Sequence, residues 1–531
     1  MESKHSPIYF EIPQNKLLGF EENDKSETIT VNQIKWDKEK LDDFLQIMHS
    51  EETESTLKRA IININSCLET ALSMFNTTLI NAAESMRRSF RLRSGKQATN
   101  RWYDKECADQ KRSARRARTK WHRTDNGDHR RDYCEKRNLY TALIKQKNKD
   151  YKNGLREIMI KERKNNTKFW NTSKEVRNKK KQSVNCISLE RWSDHFQKAF
   201  ETNTVNNVTQ KLNIQHIEKR DILNVPELDD PITDKEVESA LNTLKCGKAA
   251  GLDNICSEFL KYSGNTIVPF LTLFFNRLYD TCSFPLSWSQ SIIIPLFKRG
   301  DDKSPDNYRG ISLLSTVSKL FTCILNKRFY AWAERENKIS SEQAGFRQSY
   351  STTDHIFTLS SIVQNCFNKP NGGKVYACFV DYRKAFDTVN RDHVWEKLEK
   401  LNTSTKLLTM LKAIYASVQA CIRWNGKLSG FFSCPLGLKQ GCLLSPLIFS
   451  LLIGDVADHI REKGMHGFQL LPGGHEIFSL LFADDIVLLS STPHGLQNQI
   501  KNLGIASKPL GLQVNLDKTK IIVFRKGGFL G

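Results

Sequence analysis

The distribution of apolar and polar positions divides the chain into two parts of different character. Apolar residues become frequent after about residue 225, where Gly and Pro separate ordered segments. The β-branched run "SIIIPLFKRGD" (291–301) predicts a strand that ends in a basic turn. The segment "SPLIFSLLIGDVADHI" (445–460) predicts a helix after its Ser-Pro start. In "IFSLLFADDIVLLS" (477–490), two apolar strands are predicted around a tight turn.

Predicted helices and strands follow one another without a regular order in this part. The segment "KVYACFVDYRKAFDTVN" (374–390) begins as a strand and continues as a helix. Further upstream, "DKEVESALNTLKCGKAAGLDNICSEFLKY" (234–262) predicts two helices joined by a glycine-containing turn. Because the elements mix without strand-helix alternation, the predicted fold class is α+β.

Residues 61–182 are polar, poor in Pro and predicted to be helical. Apolar residues recur there at three-, four- or seven-residue spacing, which predicts a helix with one apolar stripe. The members of this stripe are Tyr140, Ile144, Tyr151, Leu155 and Ile158.

Charge adds a second property to this polar region. The chain has 531 residues, a formal net charge of +21 and a pI near 9.3, which favours attraction to polyanions. Three basic segments concentrate Lys and Arg at 86–96, 111–123 and 177–182, and Trp102, Trp121 and Trp170 interleave with them. Basic side chains can neutralise phosphates while aromatic rings stack on bases, so nucleic-acid contact is predicted. The alternative is a solvated helix pair with core aromatics.

Composition also excludes several classes of protein. The thirteen cysteines form no C-x-x-C pair, which argues against a zinc module or a disulfide scaffold and favours reduced thiols. The N-terminal residues lack the apolar core of a signal peptide, and no stretch reaches about 18 apolar residues. The sequence therefore predicts a protein of the nucleus or cytoplasm without a membrane partner.

Candidate chemistry lies in the acidic residues of the apolar segments. Asp484 and Asp485 have no neighbouring His or Cys, and carboxylate oxygens suit Mg²⁺ or Mn²⁺. Asp381 ends another apolar strand upstream. Polymerases use carboxylates from different elements to hold two such ions. The alternative for each motif alone is a solvated turn or a helix cap.

The order of six segments carries a more specific signal. They resemble the successive blocks of a reverse transcriptase of LINE-type, non-LTR retrotransposons, from about residue 240 onward. The resemblance implies the fingers and palm of a right-hand polymerase, with an antiparallel palm sheet and packed helices, preceded by a basic, mainly helical region. The six segments are "PLFKRGDDKSPDNYRGISLLS", "EQAGFRQSYSTTDHIF", "FVDYRKAFDTVN", "GLKQGCLLSPLIFSLL", "FADD" and "GLQVNLDKTKIIVF".

The resemblance implies a metal site and a reaction. Asp381 and Asp484 would bridge two Mg²⁺ or Mn²⁺ ions, with Asp485 as the third carboxylate and the backbone carbonyl of Tyr382 as a further ligand. The reaction would be RNA-directed DNA synthesis from dNTPs, with an RNA template and a DNA primer as partners.

Nucleotide contacts follow in the same way from the resemblance. Lys298 and Arg309 would grip the triphosphate, and Phe386 would be a steric gate against a 2′-hydroxyl. Three further residues would contact the nucleotide, the last as proton donor to pyrophosphate or as a phosphate contact: Gln440, Gly441 and Lys518.

The predicted domain organisation has three parts. Residues 1–20 resemble the last strand of an apurinic-type endonuclease, although Lys4 replaces the expected Asp. Residues 21–212 form the basic helical region, and residues 213–531 form fingers and palm, with the thumb expected to be missing. This organisation suggests a truncated retrotransposon product.

Three functions are compatible with these observations. The first is an active reverse transcriptase, and the second is a weakly catalytic remnant that binds RNA through its basic region. The third is a polymerase like those of group II introns or telomerase. The residues of the motifs "KAFD", "GLKQGCLLSP" and "FADD" disfavour this third function.

Overall fold

The computed structural model describes two compact units. Its described residues are 29–92, 102–162, 169, 172–173, 187–200, 223–298, 300–369, 373–464, 467–470 and 475–526. The described residues of the first unit fall within 29–31 and 90–173, and those of the second unit lie within 32–89 and 187–526. The predicted endonuclease-like segment 1–20, the basic run 177–182 and Trp170 lie outside the described residues.

The elements are numbered here in chain order within the described residues. The helices are α1 (Leu41–Met48), α2 (Glu51–Asn63), α3 (Leu68–Ala82), α4 (Lys105–Thr124), α5 (Gly127–Lys161), α6 (Leu189–Phe200), α7 (Pro226–Asp229), α8 (Asp234–Thr243), α9 (Ser257–Ser263), α10 (Val268–Thr281), α11 (Leu286–Ser289), α12 (Thr316–Arg335), α13 (Thr352–Phe367), α14 (Ala385–Thr388), α15 (Arg391–Lys400), α16 (Thr405–Ala416), α17 (Ser445–Glu462) and α18 (Pro493–Ser507). The strands are β1 (Ile29–Ile34), β2 (Arg87–Leu92), β3 (Gln290–Phe297), β4 (Tyr308–Leu313), β5 (Val375–Val380), β6 (Gln419–Trp424), β7 (Lys427–Leu428), β8 (Phe432–Ser433), β9 (Phe468–Gln469), β10 (Glu476–Ile477), β11 (Ser479–Phe482), β12 (Asp485–Ser490) and β13 (Lys520–Phe524).

The first unit contains a helical hairpin formed by α4 and α5. Asp104 caps the start of α4 by accepting a hydrogen bond from the Cys107 amide, and Asp125 ends the helix in the left-handed conformation with φ of 45°. Lys147 of α5 forms ion pairs of 2.8 Å with Asp104 and with Glu106. Helix α5 spans all five positions of the apolar stripe, which confirms the predicted helix; Leu155 is buried, whereas Ile158 is exposed.

The second unit contains a four-stranded antiparallel sheet with the order β11-β12-β5-β13. Its central strand β5 is the apolar run "VYACFV", in which Val375, Ala377 and Cys378 are buried. Such a run favours a strand covered on both faces. The edge strand β13 exposes Ile521 and Ile522.

A five-stranded sheet forms the other sheet of the second unit. Its order is β4-β3-β6-β7, and β8 also pairs with β6. Strands β3 and β4 form an antiparallel hairpin, whereas β3 and β6 are parallel. Ile292 and Ile293 of β3 are buried, as the predicted β-branched strand requires.

Aromatic packing draws additional segments into the second unit. Phe75 of α3 stacks on Phe270 of α10 with ring centroids 4.5 Å apart. Trp192 of α6 is fully buried and lies 5.1 Å from Trp424 of β6. The compact unit therefore includes 32–89 and 187–200, because the helices in these ranges bury large rings against the later elements.

Helices and sheets occur in mixed order in the second unit, and the predicted α+β class is confirmed. Among the described helices, none combines the length and the apolar character needed to cross a bilayer.

Candidate active site

The two adjacent carboxylates lie at the tip of a β-hairpin. Strands β11 and β12 end their pairing with Phe482 opposite Asp485, so Ala483 and Asp484 form a two-residue turn. Ala483 has a φ of 58°, which is uncommon for a residue that carries a Cβ. Asp484 is half-buried, and Asp485 is exposed. The predicted pair of strands around a tight turn is confirmed, and residues Phe482–Asp485 are named the acidic turn.

Asp381 lies beside the acidic turn because of the register between two strands. Val380, the last residue of β5, pairs with Ile486 of β12, so the next step along the chain places Asp381 beside Asp485. The pKa of Asp485 is raised, first by burial around its carboxyl group and then by the negative charges of Asp484 and Asp381. The structure therefore brings together the three carboxylates that the sequence singled out.

Asp381 is held by the segment that follows α18. Its Oδ2 accepts hydrogen bonds from Asn515 Nδ2 at 2.9 Å and from Lys518 Nζ at 3.0 Å. The Asn515 amide also donates to the Asp381 carbonyl at 2.7 Å. Lys518, predicted to meet the pyrophosphate, forms an ion pair with Asp381 here. Sequence reasoning missed Asn515, whose only signal was its place in "QVNLDKTK".

Tyr382 fixes the chain that leaves β5. Its side chain is buried, and its hydroxyl shares a 2.6 Å hydrogen bond with the Ser507 hydroxyl. Burial raises the pKa of Tyr382 to about 12. A bridge between the backbones of Tyr382 and Val514 anchors the same point, so the residue next to Asp381 has little freedom.

Phe386 lies in an aromatic group with Phe346 and Phe449. Its ring stacks on Phe449 of α17 at 4.4 Å and meets Phe346 edge-on at 6.2 Å. The side chain is half-buried, so one part of the ring reaches solvent. Its carbonyl accepts a hydrogen bond from the Leu438 amide at 2.7 Å, which ties α14 to the loop before α17.

Gln440 and Gly441 belong to this loop. Gly441 has a φ of 90°, and a Cβ there would lie 3.1 Å from the Ser312 carbonyl oxygen of β4. Glycine is therefore favoured by both backbone conformation and close approach. Gln440 is half-buried at the same point. The loop thus lies directly against the five-stranded sheet.

Arg391 organises this loop and was missed by sequence reasoning. Its guanidinium donates hydrogen bonds of 2.8 to 3.1 Å to the carbonyl groups of Cys434, Leu436, Gly437 and Tyr415. Four carbonyl acceptors satisfy this half-buried cation, and within the described ranges no carboxylate forms an ion pair with it. Nothing in the sequence around residue 391 distinguishes it from an ordinary helix-start residue.

A buried lysine supports the same loop. Lys439 donates to the Trp288 carbonyl at 3.1 Å, and burial is the main cause that lowers its pKa to about 8. The Lys439 carbonyl in turn accepts a 2.8 Å hydrogen bond from the Ser445 hydroxyl at the start of α17. The residue therefore connects the loop to α17 and to the segment before β3.

The predicted triphosphate contacts lie on the hairpin of β3 and β4. Lys298 and Arg309 are exposed, and the Lys298 amide donates to the Asn307 carbonyl at 2.9 Å. Burial raises the pKa of Asp387, while the positive charges of Lys384 and Arg309 oppose that rise. Arg309 therefore lies within electrostatic range of helix α14, which carries Phe386.

The donor chemistry fits a hard divalent cation. Asp381, Asp484 and Asp485 offer carboxylate oxygens, the ligands that Mg²⁺ and Mn²⁺ prefer. Burial and then the charges of Asp484 and Asp381 raise the pKa of Asp485, and a cation between the carboxylates would relieve the repulsion among them. Within the described ranges, no three acidic, His or Cys side chains converge closely enough as they stand to hold an ion. Asp381 Oδ2 is engaged by Lys518 in this arrangement.

Comparison with known proteins shows which proteins the part of the chain that includes this site resembles. Residues 298–531 match the family model described as reverse transcriptase (RNA-dependent DNA polymerase). The probable RNA-directed DNA polymerase from transposon BS of Drosophila melanogaster is 29% identical over 302 residues, which cover 54% of this chain and 32% of that protein. The RNA-directed DNA polymerase from mobile element jockey of Drosophila funebris is 26% identical over 268 residues, which cover 50% of this chain and 28% of that protein.

The match therefore spans about a third or less of the length of these curated relatives. Among solved structures, apo telomerase from Candida tropicalis, truncated from its C-terminal domain, is 14% identical with a TM-score of 0.35, covering 46% of this chain and 51% of that chain. Residues 298–531 are thus similar to the reverse transcriptase family, and the relatives that the chain matches are RNA-directed DNA polymerases of mobile elements, in agreement with the resemblance in the sequence motifs.

Proposed function

We propose that the chain is an RNA-directed DNA polymerase that adds dNTPs to a primer 3′-hydroxyl on an RNA template. The observation that carries this proposal is the meeting of Asp381, Asp484 and Asp485 at adjoining strand ends. In this interpretation the four-stranded sheet is the palm, and the five-stranded sheet with its helices forms the fingers.

The three carboxylates have a defined task in this proposal. Asp381, Asp484 and Asp485, with the Tyr382 carbonyl, would hold two Mg²⁺ or Mn²⁺ ions. When bound, the ions activate the attacking hydroxyl and stabilise the leaving oxygen. The chain contributes rigidity, because Asp381 is fixed by Asn515 and by the strand register. Fixed charges of this kind need little reorganisation during the reaction.

Side chains around the carboxylates would position the nucleotide. Lys298 and Arg309 are exposed cations that can approach a triphosphate from the side of the five-stranded sheet. Phe386, fixed by its stack on Phe449, would exclude a 2′-hydroxyl and so favour deoxynucleotides. Gln440 and Gly441 would line the pocket where the loop before α17 meets β4.

Lys518 would act close to the leaving group. Its ammonium lies 3.0 Å from Asp381 and is partly exposed, so it can reach a phosphate oxygen near the same carboxylate. There it would donate a proton to pyrophosphate or neutralise its charge. The ion pair places this cation beside the proposed metal ligands before any substrate binds.

Primer extension with poly(rA)/oligo(dT), dTTP and Mg²⁺ or Mn²⁺ tests the polymerase directly. Asp484→Ala should abolish incorporation, because a half-buried carboxylate at the tip of the hairpin is removed. Asp42→Ala, an exposed acid in the first turn of α1, is the matched control and should retain activity. Absence of incorporation by the unchanged protein with both metals would overturn the proposal.

A second candidate function is RNA binding by the helical hairpin of α4 and α5. The observation that favours it is a run of exposed cations on α4: Arg115, Arg116, Arg118 and Lys120. Cations that contact phosphates release counterions, so the affinity for RNA should fall steeply with salt. In the full chain, replacing these four residues with Gln should lower the slope of log affinity against log salt.

The matched control for this experiment replaces Lys38 and Lys58, which are exposed in the second unit. Their replacement with Gln should leave the slope nearly unchanged. An equal effect of both sets would indicate a general charge effect and would remove the hairpin from the RNA interface.

A further inference from the structure

The edge of the four-stranded sheet beyond β11 is covered by a short segment. We name residues Glu342–Gly345, which lie between α12 and α13, the clamp segment. The Leu481 amide donates to the Glu342 carbonyl at 2.9 Å, and the Ala344 amide donates to the Leu481 carbonyl at 2.9 Å. Gln343 thereby forms a parallel bridge with Leu481, so the clamp segment continues the sheet by one residue.

The side chain of Gln343 is directed at the acidic turn. Its Oε1 accepts hydrogen bonds from the Ala483 amide at 2.9 Å and from the Gly345 amide at 2.7 Å. Its Nε2 donates to the Ala483 carbonyl at 3.3 Å. Gln343 is fully buried, so these hydrogen bonds have no competition from water. One side chain therefore binds both backbone groups of the residue that precedes Asp484.

The clamp segment approaches the acidic turn too closely for larger residues. A Cβ on Gly345 would overlap the backbone nitrogen of Ala483. Glycine at this position lets the Gln343 carboxamide reach across to Ala483. The contact with Ala483 therefore depends on the buried carboxamide of Gln343 and on the absence of a Cβ at Gly345.

We propose that Gln343 is a positioning residue for Asp484, which rests on the polymerase function proposed above. Ala483 holds a positive φ, which a residue with a Cβ adopts only when its surroundings enforce it. The two hydrogen bonds from Gln343 to Ala483 supply that enforcement. Without them the turn relaxes, and the peptide that carries Asp484 rotates away from Asp381.

The test replaces Gln343 with Met, which has a similar volume and cannot form these hydrogen bonds. Gln499→Met is the matched control, because Gln499 is also buried and donates to the Leu489 carbonyl at 3.0 Å in the same sheet, away from the acidic turn. Both variants are measured in the full chain by primer extension and by hydrogen exchange of the 479–490 peptide.

Gln343→Met should lower kcat by roughly 10- to 100-fold with little change in the KM for dTTP, since a small misplacement of a reacting group has effects of that size. Exchange should accelerate in 479–490 and stay unchanged in the 375–380 strand. Gln499→Met should leave kcat unchanged. Ala483→Gly, added to Gln343→Met, should restore much of kcat because glycine adopts a positive φ without support.

Three outcomes would overturn the proposal. They are a wild-type kcat in folded Gln343→Met, a loss of kcat that Ala483→Gly does not restore, and equal effects of both glutamine variants. Gly345→Ala, which pushes the clamp segment off Ala483, is the second variant if Gln343→Met does not fold. If neither variant folds, Gln343 and the clamp segment are required for the fold itself. That result would overturn a role limited to positioning Asp484, because such a role predicts a folded enzyme with a low kcat.

If the wild-type chain is inactive, the polymerase function and the positioning role of Gln343 can still be tested separately. The polymerase function would then fail, while faster exchange confined to 479–490 in Gln343→Met would still support control of the turn by Gln343. Unchanged exchange in that peptide would reject the positioning role on its own.

Discussion

Two edges of the second unit carry opposite charge and are constructed differently. At the acidic edge, Asp381 has fixed partners in Asn515 and Lys518, at 2.9 and 3.0 Å. At the basic edge, Lys298 and Arg309 are exposed on the hairpin of β3 and β4. Groups that must coordinate an ion gain from a rigid support, whereas cations that meet a mobile triphosphate can keep their freedom until it binds. The difference matches the two tasks proposed for these edges.

The largest effect is expected when a fixed charge is removed from the acidic edge. Asp381→Asn should lower primer extension at least about 100-fold, because a proposed metal ligand loses its charge. Asn515→Ala keeps the carboxylate and removes one of its supports, so it should cause a smaller loss. Steady-state kinetics with dTTP measure both. Equal losses in the two variants would contradict the separation of ligand and support.

A substitution between the two edges tests the proposed gate. Phe386→Val removes the ring that stacks on Phe449 and should lower discrimination against ribonucleotides by roughly 10-fold or more. The measurement is the ratio of kcat/KM for dTTP and UTP. Leu438→Val changes a neighbouring buried residue and serves as control, with an unchanged ratio. Unchanged discrimination in Phe386→Val would remove Phe386 from the gate.

The basic edge should respond in KM rather than in kcat. Arg309→Gln removes an exposed cation near α14 and should raise the KM for dTTP roughly 10-fold, the loss expected for one charge-assisted hydrogen bond. Arg277→Gln on α10, away from this edge, is the control. A fall in kcat at constant KM would show that Arg309 acts in the reaction step, as proposed for the acidic edge, and not in binding of the triphosphate.

The smallest effect concerns stability at the acidic edge. The folded-state pKa of Asp485 is raised, so the folded protein binds the proton more tightly than the unfolded chain does, and stability falls as the pH rises through that range. At neutral pH, Asp485→Asn should therefore raise the free energy of unfolding in EDTA, by less than about 1 kcal/mol because the carboxyl is exposed and screened.

Urea unfolding at neutral pH and near pH 4 measures this gain, which should shrink at the lower pH. Added Mg²⁺ should also reduce it, since the ion would stabilise the unchanged protein more. A destabilised Asp485→Asn in EDTA would show that neither the burial of this carboxylate nor repulsion from Asp484 and Asp381 dominates at this edge.

The sequence predicts the acidic edge well because its signals are local. The apolar runs around Asp381 and Asp484 predict strands, and the order of the motifs predicts that these strands pair. The residues that position these carboxylates cannot be predicted from the sequence in the same way. Gln343 and Asn515 act on residues more than a hundred positions away, and no periodicity or turn signal near either of them records such a contact.

The boundary of the basic region was predicted by composition, which does not record burial. Helix α6 is polar at most of its positions, yet Trp192 is fully buried and Phe196 would meet a Cβ placed on Gly310 of β4. Two rings on one face of a short helix are a weak signal beside the surrounding basic residues. Long-range packing therefore places helix α6 with the later elements of the second unit.

The central position of β5 has a consequence for how the protein matures. Val380 pairs with Ile486, more than a hundred residues further along the chain, and the other edge of β5 pairs with β13, which is later still. Closing such long loops costs chain entropy before the contacts repay it, so this sheet should form slowly. During synthesis, Asp381 leaves the ribosome long before the acidic turn does. The proposed metal site should therefore be assembled only late in folding.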